Sequence, residues 1–222
     1  MKLINNRYKQ TFDFNLFNNY VFAVENSNEY LKVLQEIFNE TNGIENSDFV
    51  LSDYGETLKF SKAAIFIYDY LNLDINNRKI INEINAQVLD LLKNRDNTEE
   101  FYKINQIFIE INDKLINEFD FKLNYDSELT SDKFIKLSNY HIDSEANLLD
   151  KIVSYVKICS CLKNIKLVVF AGLFEIFSKE EIDKIIKQIE YSDLKCLLIE
   201  PCMKYKFKSF GRIVIDEDLC EI

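Results

Sequence analysis

Leu167-Val168-Val169-Phe170 is a continuous apolar run stopped by Ala171-Gly172, and Leu197-Leu198-Ile199 is a second one stopped by Glu200-Pro201. Each reads as a buried strand. Between them Ser178 and Glu181 have capping-box spacing, and Ile182, Ile185, Ile186 and Ile189 recur at helical intervals. Strand, amphipathic helix, strand is a βαβ unit, which predicts two parallel neighbouring strands with the helix crossing one face of the sheet. Such a sheet is covered on both faces, and the site it supports is expected at the carboxyl ends of its strands.

The rest of the chain is read around that unit. Leu3, then Phe12 and Phe14, then Tyr20 to Val24 alternate as half-buried strands do, and Asn26 with Glu29 opens a helix whose stripe is Tyr30, Leu31, Leu34, Ile37 and Phe38. Asn42-Gly43 ends it, Phe49-Val50-Leu51 is a short strand, and Ser61 is read as the cap of a helix carrying Ala64, Ile65, Ile67, Tyr68 and Leu71. From Ile75 the spacing changes. Ile81, Ile84, Val88 and Leu91 alternate steps of three and four, as do Phe101, Ile104, Phe108, Ile111 and Leu115. A helix from Asn76 to Asn94 would span roughly 28 Å. A second, from Glu99 to Phe121, would be longer than packing on a small sheet requires. The pattern predicts an antiparallel helical arm broken at Asn94 to Asn97. A third helix with Leu149, Ile152, Val156 and Cys159 in its seam leads back, which makes the arm, 75–162, an insertion between the two parts of an α/β head, 1–74 and 163–222. The last strand is Arg212 to Ile215.

Composition supports a helix-rich globular protein: 47% hydrophobic residues supply a core, and only 4 Gly and 1 Pro leave little turn chemistry for an all-β fold. A net charge of −10 argues against a protein that coats nucleic acid with its whole surface, because such binding neutralises phosphates with Lys and Arg; a local basic face stays open. The 5 cysteines form no C-x-x-C pair and His141 is the one imidazole, so reduced thiols are expected and a zinc site is not. No apolar h-region opens the chain and no run approaches ~18 apolar residues, which predicts a soluble, cytoplasmic protein with no membrane partner.

Chemistry-bearing constellations are few. A nucleotide-hydrolysing sheet needs a glycine-rich loop after its first strand, and that place holds Val24-Glu25-Asn26-Ser27-Asn28, so a phosphate-loop type of head would be a degenerate one. Glu200 ends a strand where a magnesium-ordering acid sits in such enzymes, and equally where an acid caps a strand end. His141 has no Ser or Cys signature around it, and Cys159 and Cys161 face different sides of a helix. Glu118, Asp120, Asn124, Asp126, Glu128 and Asp132 put many hard oxygens within a short span. They read either as calcium ligands or as a solvated acidic turn, and the spacing is not that of an EF-hand. Lys204, Lys206, Lys208 and Arg212 lie on one face of an extended strand with Tyr205 and Phe207 on the other, as phosphate contacts or as the lysines that keep an edge strand from aggregating.

Several stretches taken together carry a likeness: Tyr20 to Glu25 leading into Tyr30-Leu31-Lys32-Val33-Leu34, Tyr70 to Asp74, Glu118-Phe119-Asp120-Phe121, Leu167 to Phe170, Leu197 to Pro201, and Val214 to Leu219. In that order the chain resembles, over nearly its whole length, the type II-A CRISPR adaptation proteins of the ring-forming, DNA-end-binding family. The resemblance implies a homotetrameric ring of α/β heads and helical arms that takes double-stranded DNA through a lysine-lined hole. It further implies structural calcium, no catalytic activity, and partnership with the adaptation integrase and the type II effector nuclease during spacer acquisition. On this sequence it makes Glu118, Asp120 and Asp126 the metal candidates, with Asn124 and Glu128 beside them, although Lys122 and Asn124 depart from a more acidic family pattern. For DNA it points to Lys32, and to Lys59 and Lys62 in a segment that is basic in the family; Lys204, Lys206 and Lys208 follow from the residues alone. The expectation is a non-enzymatic, sequence-independent DNA-binding ring. Its rivals are a degenerate nucleotide-binding ATPase or nuclease using Glu200, and a helical scaffold for proteins.

Overall fold

Leu3 and Phe12 face each other across an antiparallel pair, β1 (Lys2–Asn5) with β2 (Gln10–Asp13), the first elements of the computed structural model. The structure describes residues 1–44, 47–95, 97–143 and 147–222. β3 (Asn19–Val24) is buried along its whole length, as a strand covered on both faces must be. α1 (Ser27–Thr41) follows, capped by the Asn26 side chain, which accepts from the amides of Asn28 and Glu29. Its buried face carries Val33 and Ile37, whereas Leu31, expected in the stripe, is 63% exposed. β4 (Phe49–Asp53) and β5 (Glu56–Thr57) form a hairpin whose turn residues Tyr54 and Gly55 both have positive φ, as mirror-image turns of tight hairpins require.

The helix expected from Ser61 onwards is a single turn, α2 (Phe60–Ala63), that runs straight into β6 (Ala64–Ile67). A short apolar run such as Ala64-Ile65-Phe66-Ile67 suits either state, and pairing decides between them. The run pairs in parallel with residues 167–170, which bond its backbone, and it buries Ile65 and Ile67.

Three helices come next in the chain, α3 (Arg78–Asn94), α4 (Thr98–Ile116) and α5 (Ser131–Ser138), followed by α6 (Leu148–Cys161), β7 (Leu167–Ala171), α7 (Leu173–Ile176), α8 (Lys179–Glu190), β8 (Lys195–Glu200) and β9 (Phe210–Ile215). The unit β7-α8-β8 is the predicted one. Its strands are parallel neighbours, the Ser178–Glu181 capping box is formed in both directions, and all four isoleucines of α8 are buried.

Five parallel strands make one sheet in the order β6-β7-β8-β3-β9, and β1, β2, β4 and β5 make a separate antiparallel one, so the fold class is α/β. Tyr20, Phe22, Val24, Val169, Leu197, Ile199, Ile213 and Ile215 share one core with Leu3, Phe12, Phe49 and Leu51 of the antiparallel sheet and with Val33 and Ile37 of α1. Alternation turns Val21, Val168, Phe170 and Leu198 to the opposite face. α6 packs along α8 and buries Ile152, Tyr155, Val156 and Cys159.

The chain divides into two units, 1–75 with 144–222, and 76–143. α6, assigned to the arm from its seam, belongs instead to the first unit, because that seam is met by α8. In the second unit α5 packs on α3, and the segment after α4 lies along α4: Tyr125 stacks edge-on to Phe108 at 6.0 Å and donates to Asp113, while Asn105 accepts from the Leu129 amide. α4 stops at Ile116 rather than Phe121, since Glu118 and Asp120 would put negative charge at the negative end of the helix dipole. Asp96, in the expected break, lies outside the described residues. No helix among the described residues is long and apolar enough to cross a membrane.

Candidate nucleic-acid interface

The carboxyl edge of the parallel sheet is closed by the chain's own side chains. β3 lies between β8 and β9, a switch point where an open α/β sheet commonly binds a ligand. In the turn after β3, however, the Asn26 side-chain oxygen takes the amides at the start of α1, and its amide nitrogen donates to the Glu217 carbonyl at 3.2 Å. The donors that would hold a phosphate there are already used. Past β9, Asp216 accepts from the amides of Asp218 and Cys220 at 3.0 and 2.8 Å. At the end of β8, Glu200 is fully buried, with both oxygens 3.2–3.3 Å from the Phe174 amide. Burial pushes its carboxyl up to about 8, against the opposing pull of the Phe174 and Leu173 amides. Glu200 therefore caps the first turn of α7.

The lysines fall into two exposed sets on the first unit. Lys32 on α1 bonds to Glu29 at 2.5 Å, and this bond is the main reason Glu29 lies below the usual carboxylate range. Glu29 also accepts from Tyr8, and Arg7 pairs with Glu29, Glu36 and Asp48. No local spacing joins Arg7 to Glu36, so this ion-pair hub beside Lys32 was not legible in the sequence. Lys59 and Lys62 are exposed at the two ends of α2, and a Cβ on Gly43 would meet the Ser61 Cβ at 3.8 Å, which puts α2 beside the far end of α1. Lys32 and the α2 pair are thus about 15 Å apart along α1, a ridge rather than a cluster.

The second set lies on a strap, residues 201–209, that joins β8 to β9. The strand expected here does not form: 203–207 have no regular secondary structure, and 208–209 turn into β9 through the bond from the Phe210 amide to the Phe207 carbonyl. Lys204, Lys206 and Lys208 are exposed, and Met203, Tyr205 and Phe207 between them are half-buried. The expected two-faced alternation is present because the rings of Tyr205 and Phe207 pack on Phe174, at 5.2 and 5.9 Å between centroids. Lys204 donates to the Phe174 carbonyl at 2.8 Å, and Arg212 is exposed on the edge strand β9.

Glu118, Asp120, Asn124, Asp126 and Glu128 are all exposed in the segment between α4 and α5. Tyr125 and Leu129 anchor that segment and leave the acids pointing outward. Asp126 pairs with Lys133, which also donates to the Glu128 carbonyl at 2.8 Å and holds the Asp126 carboxyl below its usual range. Among the described residues no three His, Cys, Asp or Glu side chains gather to hold a metal. The cysteines form no disulfide, Cys159 and Cys196 are buried, and His141 is exposed, its Nδ1 3.2 Å from the Asn139 carbonyl.

A family model described as CRISPR-associated protein (Cas_Csn2) matches residues 42–219, from the end of α1 to the turn after β9. The chain belongs to the Csn2 family of CRISPR-associated proteins. The crystal structure of Stu0660 of Streptococcus thermophilus is similar with a TM-score of 0.59 at 15% identity, over 97% of this chain and 75% of that one. At that identity the likeness is one of fold. Of the DNA candidates, Lys59, Lys62 and the strap lysines fall inside the span that matches the Csn2 family, and Lys32 falls outside it.

Proposed function

We propose that this chain is a non-enzymatic, sequence-independent binder of double-stranded DNA ends that works as a homotetrameric ring in CRISPR spacer acquisition, alongside the adaptation integrase and the type II effector nuclease in the cytoplasm. Family membership supports the CRISPR role, and one observation carries the DNA reading: in a chain of net charge −10, Lys206 and Lys208 stand exposed in series with Arg212, with aromatic side chains fixing the backbone between them. Phosphate contacts of this kind hold a duplex without reading its bases. Self-assembly is supported by α4, which has no buried residue and exposes Ile107, Ile111 and Leu115 by more than half. A non-enzymatic role agrees with a sheet edge whose donors are taken up by Asn26, Glu200 and Asp216. Calcium enters this reading as an ion of the assembly, with ligands such as Glu118, Asp120 and Asp126 drawn from more than one copy.

The test is light scattering after size exclusion, with calcium or chelator and with linear or closed-circular duplex. A calcium-stabilised tetramer that retains linear DNA and fails on closed circles is expected. A monomer indifferent to both would overturn the ring. Affinity should fall steeply with salt, and replacing Lys206 and Lys208 by alanine should flatten the slope of log affinity on log salt by about one for each lysine. The exposed face of α4 also favours a second reading, a scaffold for other adaptation proteins; unchanged spacer acquisition after charge reversal at Lys32, Lys59, Lys62, Lys206 and Lys208 would select it.

A further inference from the structure

Glu200 has no exposed surface, and it is the residue from which the strap departs. Its carboxyl holds the first turn of α7 through the Phe174 amide. The same residue, Phe174, is where the strap comes back: its carbonyl accepts from Lys204 at 2.8 Å, and its ring receives Tyr205 and Phe207. Acid, helix turn and strap therefore form one closed circuit, Glu200 to the Phe174 amide, Phe174 carbonyl to Lys204, and back along 201–203 to Glu200. A change at the acid is therefore passed to α7 and to the strap through Phe174.

We propose that Glu200 is a proton-operated latch: protonated, it keeps the strap 201–209 docked on α7, and ionised, it loosens the strap. The groups facing it are few. Tyr30 of α1 and Tyr70 after β6 lie close enough to be felt, Cys196 is on the same strand, Glu175 is on α7 and Lys204 is on the strap. Burial holds Tyr30, Tyr70 and Cys196 above their ordinary values, so they stay neutral when Glu200 ionises near pH 8. The Phe174 and Leu173 amides and Lys204 favour the charged form, burial and Glu175 oppose it, and opening the strap to solvent relieves the burial. The inference does not depend on what the strap lysines touch.

The chain has 2 methionines, and one of them, Met203, is a half-buried residue of the strap, so methyl-¹³C methionine NMR reports on it directly even in a large assembly. Met1 packs against the head core and serves as the fold control. All samples carry Cys202→Ser, which removes the thiol next to the probe. The Met203 methyl is expected to move toward its unstructured position as pH rises from 5 to 9, with a midpoint no higher than about 8, the value of the docked carboxyl, while Met1 stays in place. Glu200→Gln should abolish the transition and keep the docked signal at every pH. A Met203 signal constant over the range, or one that titrates alike with Gln at 200, overturns the latch. Should Glu200→Gln disturb Met1 as well, the ¹³C titration of the Glu200 carboxyl in the otherwise unchanged chain decides: a Met203 transition that does not track that carboxyl overturns the proposal.

Discussion

The parallel sheet and α4 treat their apolar residues in opposite ways. Every residue of β3 and β7 is buried, packed between an antiparallel sheet with α1 on one side and helices on the other. α4 runs for 19 residues with an equally regular apolar seam and buries none of them. The first unit supplies its own covering surfaces. The second does so only in part, through Phe101 against Phe134 and Phe108 against Tyr125. Regular helical periodicity thus states that a face is to be covered, without stating by what.

Substitutions should separate the two regions most clearly in the sheet. Phe170→Ala, at a site with no exposed surface, is expected to cost about 3–5 kcal/mol in urea unfolding, since it removes a ring from a closed core. Ile111→Ala in α4, at a residue 52% exposed, should cost within about 0.5 kcal/mol in the dilute single chain. A cost that grows with protein concentration would show that another copy covers the face and would sharpen the contrast.

Next in size is the pH dependence carried by Glu200. Its folded value lies above the ordinary carboxyl value, so the folded chain binds this proton more tightly than the unfolded chain does. That contribution is full below about 4.5 and is lost as pH rises through about 8. Between those limits wild type should lose about 1.4 kcal/mol per pH unit relative to Glu200→Gln. Parallel stability curves for the two proteins across pH 5 to 8 would refute it.

Gly211 tests how tightly the edge of the sheet is closed. A Cβ there would stand 2.2 Å from the Tyr20 ring, so Gly211→Ala should destabilise the protein by roughly 1–3 kcal/mol, read as a lower urea midpoint. Asn26→Ala, which removes the cap of α1 and the bond to Glu217, should cost about 1 kcal/mol. The smallest effect belongs to α4 again. Lys103→Ala breaks an exposed pair with Glu99 and should change the unfolding free energy by no more than about 0.5 kcal/mol. Larger losses there would contradict the view of α4 as a solvated helix in the single chain.

Elements whose signals are local were legible in the sequence. The unit β7-α8-β8 is specified by its own apolar runs and by a capping box three residues long in spacing, and the first turn of α1 by Asn26; neither needs a distant partner. The two-faced strap was legible in its alternation of lysine and aromatic residues, although the strand expected there does not form. What the tertiary structure decided depends on residues far apart in the chain. Residues 64–67 become a strand because 167–170 are there to bond them. α6 joins the head because α8 meets its seam, and the acids after α4 stay apart because Tyr125 and Leu129 turn inward while Lys133 takes Asp126. Periodicity records which side of a segment avoids water, and only the assembled fold shows what it avoids water against.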